Sequence, residues 1–350
     1  MLVKLRFLFL LAIISTTISA QQYWGFDYDL FTRNNFTPVE TSLGGMTSFS
    51  SPSAFSHTLN PALLSLSESN GVDFSFRESK MSSNSYARLR SASINSKIGK
   101  IGTLGFTFIR NESSSSGNAI SLYPQRDVYT FSLGRQFGDN LFLGLSYNYF
   151  NNDMLGKSNL DYSSVDLGAI YAIPYKLSNN YETKLSVGTS FSNLLKFGDH
   201  EVTSEYYSPF EALPGMFSLT LANEIGSKAK MFGKQLLNVN LQVQYSDEIN
   251  TSAFDLWTAG SEITFLELLT LRYAYSEGSR PGTDIYSEYY SPKNTVGFGI
   301  KVPIGEMYKL NIPLNLRFDY GHSFMNVLDG FSGQRAKHFY NSFSFGVSLN

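Results

Sequence analysis

Four histidines, His57, His200, His322 and His338, are the first place to look for acid–base or metal chemistry. None stands at a spacing that would gather it with further ligands. Cysteine is absent from the sequence, so thiolate zinc sites, disulfide scaffolds and thiol nucleophiles are excluded. Each histidine falls in an expected loop or in the N-terminal segment. Asp199-His200 could supply two members of a hydrolytic triad, but no Gly-x-Ser-x-Gly elbow presents a nucleophile, and adjacent polar residues on a loop are ordinarily just solvated. Gly297-Phe298-Gly299 sits inside an alternating stretch with no helix behind it, which removes a dinucleotide loop. Ser113 to Ser116 reads as a flexible loop tip. No catalytic residue, cofactor or metal is expected, and the chain is not expected to be an enzyme.

Charges within the alternating stretches say more. Arg110, Arg272, Arg317 and Asp319 fall on polar-phase positions or strand ends, so they are expected to face the lumen or the interface and are the lumen-facing candidates, because a charge turned toward lipid is costly. Two roles are open to them. They could pair and stiffen the interior, which is the preferred reading, or they could orient the polar head of a permeant.

The elements that would position such residues follow from composition. Of the 350 residues, 16% are charged and 15% aromatic, with a formal net charge of -2. The charged fraction is well below the roughly 25% of soluble domains, so an ordinary hydrated surface is not expected. Lysine and arginine are scattered, which leaves no electrostatic footprint for nucleic acid. A mean hydropathy of -0.13 suits alternating strands better than helices apolar all round.

Met1 to Ala20 has the form of a secretory signal peptide: Lys4 and Arg6, then apolar Phe7 to Ile14, then small and polar residues ending in Ala20. The apolar run is far short of the about 20 residues a membrane helix needs. The mature chain is therefore expected to begin near Gln21 and to be exported.

From Val72 onward, apolar residues recur at every second position. Leu141, Leu143, Leu145, Tyr147 and Tyr149 alternate with Gly144, Ser146 and Asn148; Leu237, Val239, Leu241, Val243 and Tyr245 alternate with Asn238, Asn240, Gln242 and Gln244. The polar faces are small or amide-bearing rather than charged, which fits the lumen side of a barrel whose other face meets lipid. Similar stripes run to the last, Phe343 to Leu349. Arg88 to Ser96 and Phe254 to Ile263 are weaker, and counting both gives 14 strands. Short links such as Lys97 to Lys100 and Gln136 to Asn140 alternate with long ones such as Asn111 to Asp127, Asn151 to Ser163 and Gly321 to His338. That alternation predicts an outer-membrane barrel with both ends in the periplasm. Unpaired backbone groups in hydrocarbon cost several kcal/mol each, which demands closure. Tyr147, Tyr149, Tyr273, Tyr275 and Tyr320 suit an interfacial aromatic girdle. The expected fold is thus all-β: a 14-stranded antiparallel transmembrane β-barrel, residues 71–350, with a plug-like segment, residues 21–70, before it.

That segment does not alternate. It contains Ser42-Leu43-Gly44-Gly45-Met46, Ser51-Pro52-Ser53-Ala54 and Asn60-Pro61-Ala62-Leu63-Leu64. Asn60 is a favoured N-cap and Pro61 a favoured first helical residue, which predicts a short helix over Asn60 to Leu66; Ser51 and Pro52 suggest another start. Gly44 and Gly45 permit turns or close approach. A capped turn with no ligand role fits these residues equally well.

The Gly-Gly pair, the small-residue stretch and the Asn-Pro-Ala turn, placed before 14 strands, resemble the superfamily that joins outer-membrane long-chain fatty acid transporters to the PorV and PorQ proteins of type IX secretion. The resemblance implies that Gly44, Gly45, Asn60, Pro61 and Ala62 belong to a plug that enters the barrel from the periplasmic side. It implies one of two functions. The favoured one is a non-enzymatic PorV/PorQ-type barrel acting in protein secretion or surface attachment, with secretion-system components as partners. The alternative is a passive transporter of hydrophobic or amphipathic small molecules such as fatty acids. In either case the barrel sits in outer-membrane lipid.

Overall fold

A computed structural model describes residues 37–67, 70–82, 85–115, 125–154, 158–198, 202–204, 207–210, 215–249, 255–279, 289–309, 312–328 and 335–349. The expected signal peptide, the segment up to residue 36 and Asp199-His200 lie outside these.

Fourteen antiparallel strands close into a barrel in sequence order. They are β1 (Asn70–Ser82), β2 (Ser85–Ile98), β3 (Gly102–Ser115), β4 (Gln125–Phe137), β5 (Leu141–Met154), β6 (Ser158–Tyr175) and β7 (Tyr181–Gly198), followed by β8 (Gly215–Ser227), β9 (Leu237–Ile249), β10 (Asp255–Phe265), β11 (Leu269–Ser279), β12 (Tyr289–Val302), β13 (Leu314–Leu328) and β14 (Arg335–Leu349). β1 and β14 complete the ring in a continuous register from Asn70↔Leu349 to Ser79↔Tyr340, so no sheet edge is left to face lipid. Two small hairpins, Val202–Ser204 with Tyr207–Phe210 and Lys230–Met231 with Lys234–Gln235, stand apart from the ring.

The period-two pattern sorts side chains as it predicts. Leu143 (38%) and Leu241 (39%) are exposed on the outside, whereas Asn240, one residue away, is 1% exposed on the inside. Outward pairs such as Phe74↔Phe345 and Phe345↔Phe318 build the lipid-facing belt across neighbouring strands. Toward the loop end the belt gives way to rings with a polar handle: Tyr273 donates to Asn294 Oδ1 (2.9 Å), Tyr320 to Asn341 Oδ1 (3.0 Å), and Tyr245 packs on Trp257. The barrel spans a membrane with strands, and an even-stranded antiparallel barrel with this belt is an outer-membrane structure. The weak segments are true strands, β2 and β10. In β10 the apolar face is blurred because Leu256 points inward while Ser261, in the outward phase of Trp257, is small and polar.

Connector lengths need correction. Most strands have 11 to 18 residues, more than the about 9–11 that cross the hydrocarbon, and the surplus runs out beyond the membrane at the loop end. The expected long connector over Gly321 to His338 is therefore mostly strand, with only residues 329–334 between β13 and β14; Asn151 to Ser163 shrinks to residues 155–157; and β1 and β2 are joined by residues 83–84 alone. His322 and His338 accordingly lie on strands rather than in a loop. At the opposite, turn end, a short helix, Ile304–Met307, precedes β13, which begins at Leu314, and Ile312 before it is exposed.

Candidate functional site

The lumen is where this chain departs from regular alternation. Residues 37–67 lie against the inward faces of the wall and are almost entirely buried. They begin with helix α1 (Pro38–Ser42), held by a capping box: Glu40 N donates to Thr37 Oγ1, and Thr37 N donates to Glu40 Oε2 at 3.0 Å. The signature Thr37-Pro38-Val39-Glu40 was present in the sequence, but no helix was expected there. Gly44 (φ +67°) and Gly45 (φ +98°) then turn the chain in a backbone region that side-chain-bearing residues avoid. The expected helix at Asn60 to Leu66 is a 3₁₀ turn, Pro61–Leu66; Asn60 caps it by accepting from Ala62 N (3.0 Å) and also donates to Thr189 O (3.2 Å) on β7. No helix starts at Ser51 or Pro52. Ser51 N instead donates to Ser48 Oγ (2.9 Å).

An irregular backbone at membrane depth has no water to satisfy it. Inward side chains supply the partners. Thr295 Oγ1 donates to Ser42 O (3.0 Å), Ser276 Oγ to Gly44 O (3.1 Å), Gln242 Nε2 to Thr47 O (3.1 Å) and Ser93 Oγ to Ala54 O (2.7 Å), while Ala54 N donates to Asp73 Oδ2 (2.7 Å). The small hydroxyl and amide residues of the polar phase thus serve the segment as much as any solute.

The wall also makes room. A methyl group at Gly144 or Gly168 would collide with Pro61, one at Gly134 with Leu64, one at Gly188 with the Phe49 ring, and one at Gly321 with Pro38. Where space remains, apolar contacts fill it. Phe49, Ala62 and Leu63 pack with Phe142, Ile170, Ala172 and Ala222, and Val39, Leu43 and Met46 pack with Ala274. Ala62 is fully buried in the first cluster, and a side chain at Gly44 would strike Ser276 and Thr258.

Three of the four lumen-facing candidates meet in one network. Arg272 Nε bonds Glu262 Oε2 (2.9 Å), Arg272 Nη1 bonds Asp319 Oδ1 (2.8 Å), and Arg317 Nε bonds Asp319 Oδ2 (2.5 Å). Glu262 Oε1 accepts from the hydroxyls of Ser48 and Ser50, so the network reaches the segment. Glu262 was missed, although it occupies a polar-phase position of the weakly patterned β10. Arg110 is a correction: it shares the outward phase of Phe106 and Phe108, whereas Thr107 and Ile109 are fully buried on the inside. It stands near the loop end of β3, forks onto Asp127 (2.9 and 2.7 Å) and lies over the Phe108 ring, an interfacial ion pair rather than a lumen residue. Of the histidines with described side chains, His57 is buried in the segment with Nε2 3.0 Å from Thr107 Oγ1, and His322 faces outward beside Tyr320 and Phe324. Among the described residues no three metal-ligating side chains are gathered.

Two spaces lie between the segment and the wall among the described residues. A cavity of about 420 Å³ lies in the turn-end half, bounded by residues 49–54 of the segment and by wall residues that include Asp73, Asn95, Lys184, Glu224, Asn238, Arg272, Lys301 and Arg317, and it reaches the turn residues Gln235 and Glu267. A cleft of about 20 Å³ lies in the loop-end half, lined by Gly45, Thr47, Phe49, Asn60, Ser190, Ser192, Ser218, Thr220, Gln244 and Ser246 among others.

No protein-family model and no curated protein matches the chain. Solved structures do. The chain is similar to the monoaromatic hydrocarbon channel CymD (10% identity, 91% of this chain and 98% of that one, TM-score 0.47), to the toluene transporter TodX of Pseudomonas putida (11%, 90% and 98%, 0.44) and to a FadL homologue of Pseudomonas aeruginosa (9%, 89% and 97%, 0.46). At these identities and scores the likeness adds nothing to what the strand pairing itself establishes.

Proposed function

We propose that this chain is a non-enzymatic outer-membrane barrel through which small amphipathic molecules cross passively, with residues 21–70 as its plug. The observation that carries the reading is the 420 Å³ cavity kept open between the segment and the wall. A cavity of this size accepts a small molecule and no folded partner. The resemblance of the N-terminal segment to the fatty acid transporter superfamily agrees. Two of the solved structures named above are a hydrocarbon channel and a toluene transporter, whereas the cavity walls here are largely polar, so an amphipathic solute fits better than a pure hydrocarbon. Of the sequence-derived functions, the alternative thus becomes the preferred one.

The test is proteoliposome swelling. Swelling in isosmotic arabinose or phenylalanine, with the larger trisaccharide raffinose excluded, is expected; impermeability to all three would sink the transport reading. Deleting Gln21 to Ser56, with the leader retained, is expected to admit raffinose and raise conductance in planar bilayers. Unchanged conductance would reject the plug.

A PorV/PorQ-type role in secretion is the second reading. It is favoured by apolar side chains at the turn end, Phe232 (84% exposed), Met307 and Tyr308, on two turns tied by the Lys234–Glu306 pair at 2.9 Å. Co-purification of secretion-system components from the native membrane, lost on Phe232→Ser, would support it over transport.

A further inference from the structure

The cleft and the cavity share one lining residue, Phe49. Three adjacent strands place them on opposite sides of it. Along the inside of β7, Lys184 lines the cavity, Gly188 underlies the Phe49 ring, and Ser190 and Ser192 line the cleft. Along β8 the same sequence is Glu224, then Ala222, a member of the buried cluster that holds Phe49, then Thr220 and Ser218. On β9, Asn238 lies on the cavity side and Gln244 and Ser246 on the cleft side. Phe49 is 6% exposed; Gly188 leaves room for its ring, and Phe142, Ile170, Ala172 and Ala222 of the wall share its buried cluster. The ring therefore fills the gap between two spaces that would otherwise join, and the wall is shaped to seat that ring. The cleft side chains supplied by these three strands are four serines, a threonine, a glutamine and one apolar residue, Met216, with no ionisable group among them.

We propose that Phe49 is the constriction of a path running along β7, β8 and β9 from the loop end to the turn end, and that the path selects uncharged, hydroxyl-bearing small molecules. Hydroxyl and amide side chains can exchange hydrogen bonds with such a solute as it sheds water, while a charged solute finds no counter-charge in the cleft. This deepens the passive-passage reading and rests on it.

The experiment compares wild type, Phe49→Ala and Phe49→Ala/Ser190→Phe in proteoliposomes swelling in isosmotic arabinose, phenylalanine or raffinose. Phe49→Ala should raise arabinose entry several-fold with raffinose still excluded, and adding Ser190→Phe, which fills the cleft above the ring, should return the rate to that of wild type. Raffinose entry with Phe49→Ala would mean that the whole segment has been released, and would overturn the constriction. An unchanged arabinose rate in a wild type that does pass solute would overturn the path while leaving passive passage intact. Phenylalanine entering faster than arabinose through Phe49→Ala would overturn the solute class. If no variant passes anything, both readings fall. Should Phe49→Ala not insert, Ser190→Phe alone gives the reverse test: arabinose entry should fall several-fold, and an unchanged rate would overturn the path.

Discussion

On the β3–β7 side of the lumen the wall meets the Asn60–Leu66 turn by retreating: Gly134, Gly144 and Gly168 bring backbone against backbone, and the contact is steric and apolar. On the β10–β13 side it meets α1 and residues 42–50 by reaching in, with hydroxyls onto carbonyl groups and the Glu262–Arg272–Asp319–Arg317 network onto Ser48 and Ser50. Glycines occur there too, but the charge network has no counterpart in the first group. One barrel, with one side-chain period, therefore fixes its segment by exclusion at one side and by polar satisfaction at the other. The two should fail differently, since a packed contact relaxes by shifting while a buried charge left alone cannot.

The largest effect is expected from the polar side. Arg272→Met leaves Glu262 without its cation at 1% exposure, and removing one partner of a buried pair costs about 3–5 kcal/mol. Denaturant unfolding in lipid vesicles should show that loss, and a midpoint equal to wild type would mean that the network is solvated in the membrane. Next comes the packed side. Gly144→Ala drives a methyl group into the Pro61 backbone, and an overpacked contact of this kind costs about 1–3 kcal/mol. Here the wall can keep its pairing while the turn moves, so raised conductance with little change in heat-modifiable gel migration is the expected signature; a collapsed barrel would erase the contrast. The smallest effect belongs to Asn60→Ala, which removes one cap and one bond to Thr189 O and should cost about 1 kcal/mol in the same unfolding assay.

The wall was legible from period two because lipid imposes one rule on every outward position. Leu143, Leu241 and the strand count all follow from it. β2 and β10 were faint because the rule acts on one face only, and there the inward face also carries apolar residues, Leu89 and Leu256. For Arg110, charge and strand-end position fit lumen and interface alike, and only its place next to buried Ile109 fixes it outside, where beyond the hydrocarbon the outward phase accepts charge. The N-terminal segment was legible as Gly44-Gly45 and as a capped Asn60-Pro61, since both signals are local. What those residues touch was not legible, because each contact joins them to strands far along the chain. Gly144 reads in the sequence only as a small polar-face residue, and the closeness of Pro61 to it, of Asn60 to Gly168 and of Phe49 to Gly188 exists only in the folded barrel.

The hydrogen bonds that hold the segment also carry an order of assembly. Ala54 and His57 bond to β2 and β3, 39 and 50 residues away, and Asn60 to β7 at 129 residues. Gly44 and Ser42 wait for partners 232 and 253 residues downstream, on β11 and β12. The entropy of joining distant points is met before the contact rewards it, so near contacts form first. The Asn60–Leu66 turn can thus seat on a half-built sheet of β2 to β7, while α1 stays undocked until the last strands arrive. During that interval the first strands already have their inner face covered, which leaves the second half of the chain to wrap around a core that its own beginning has supplied.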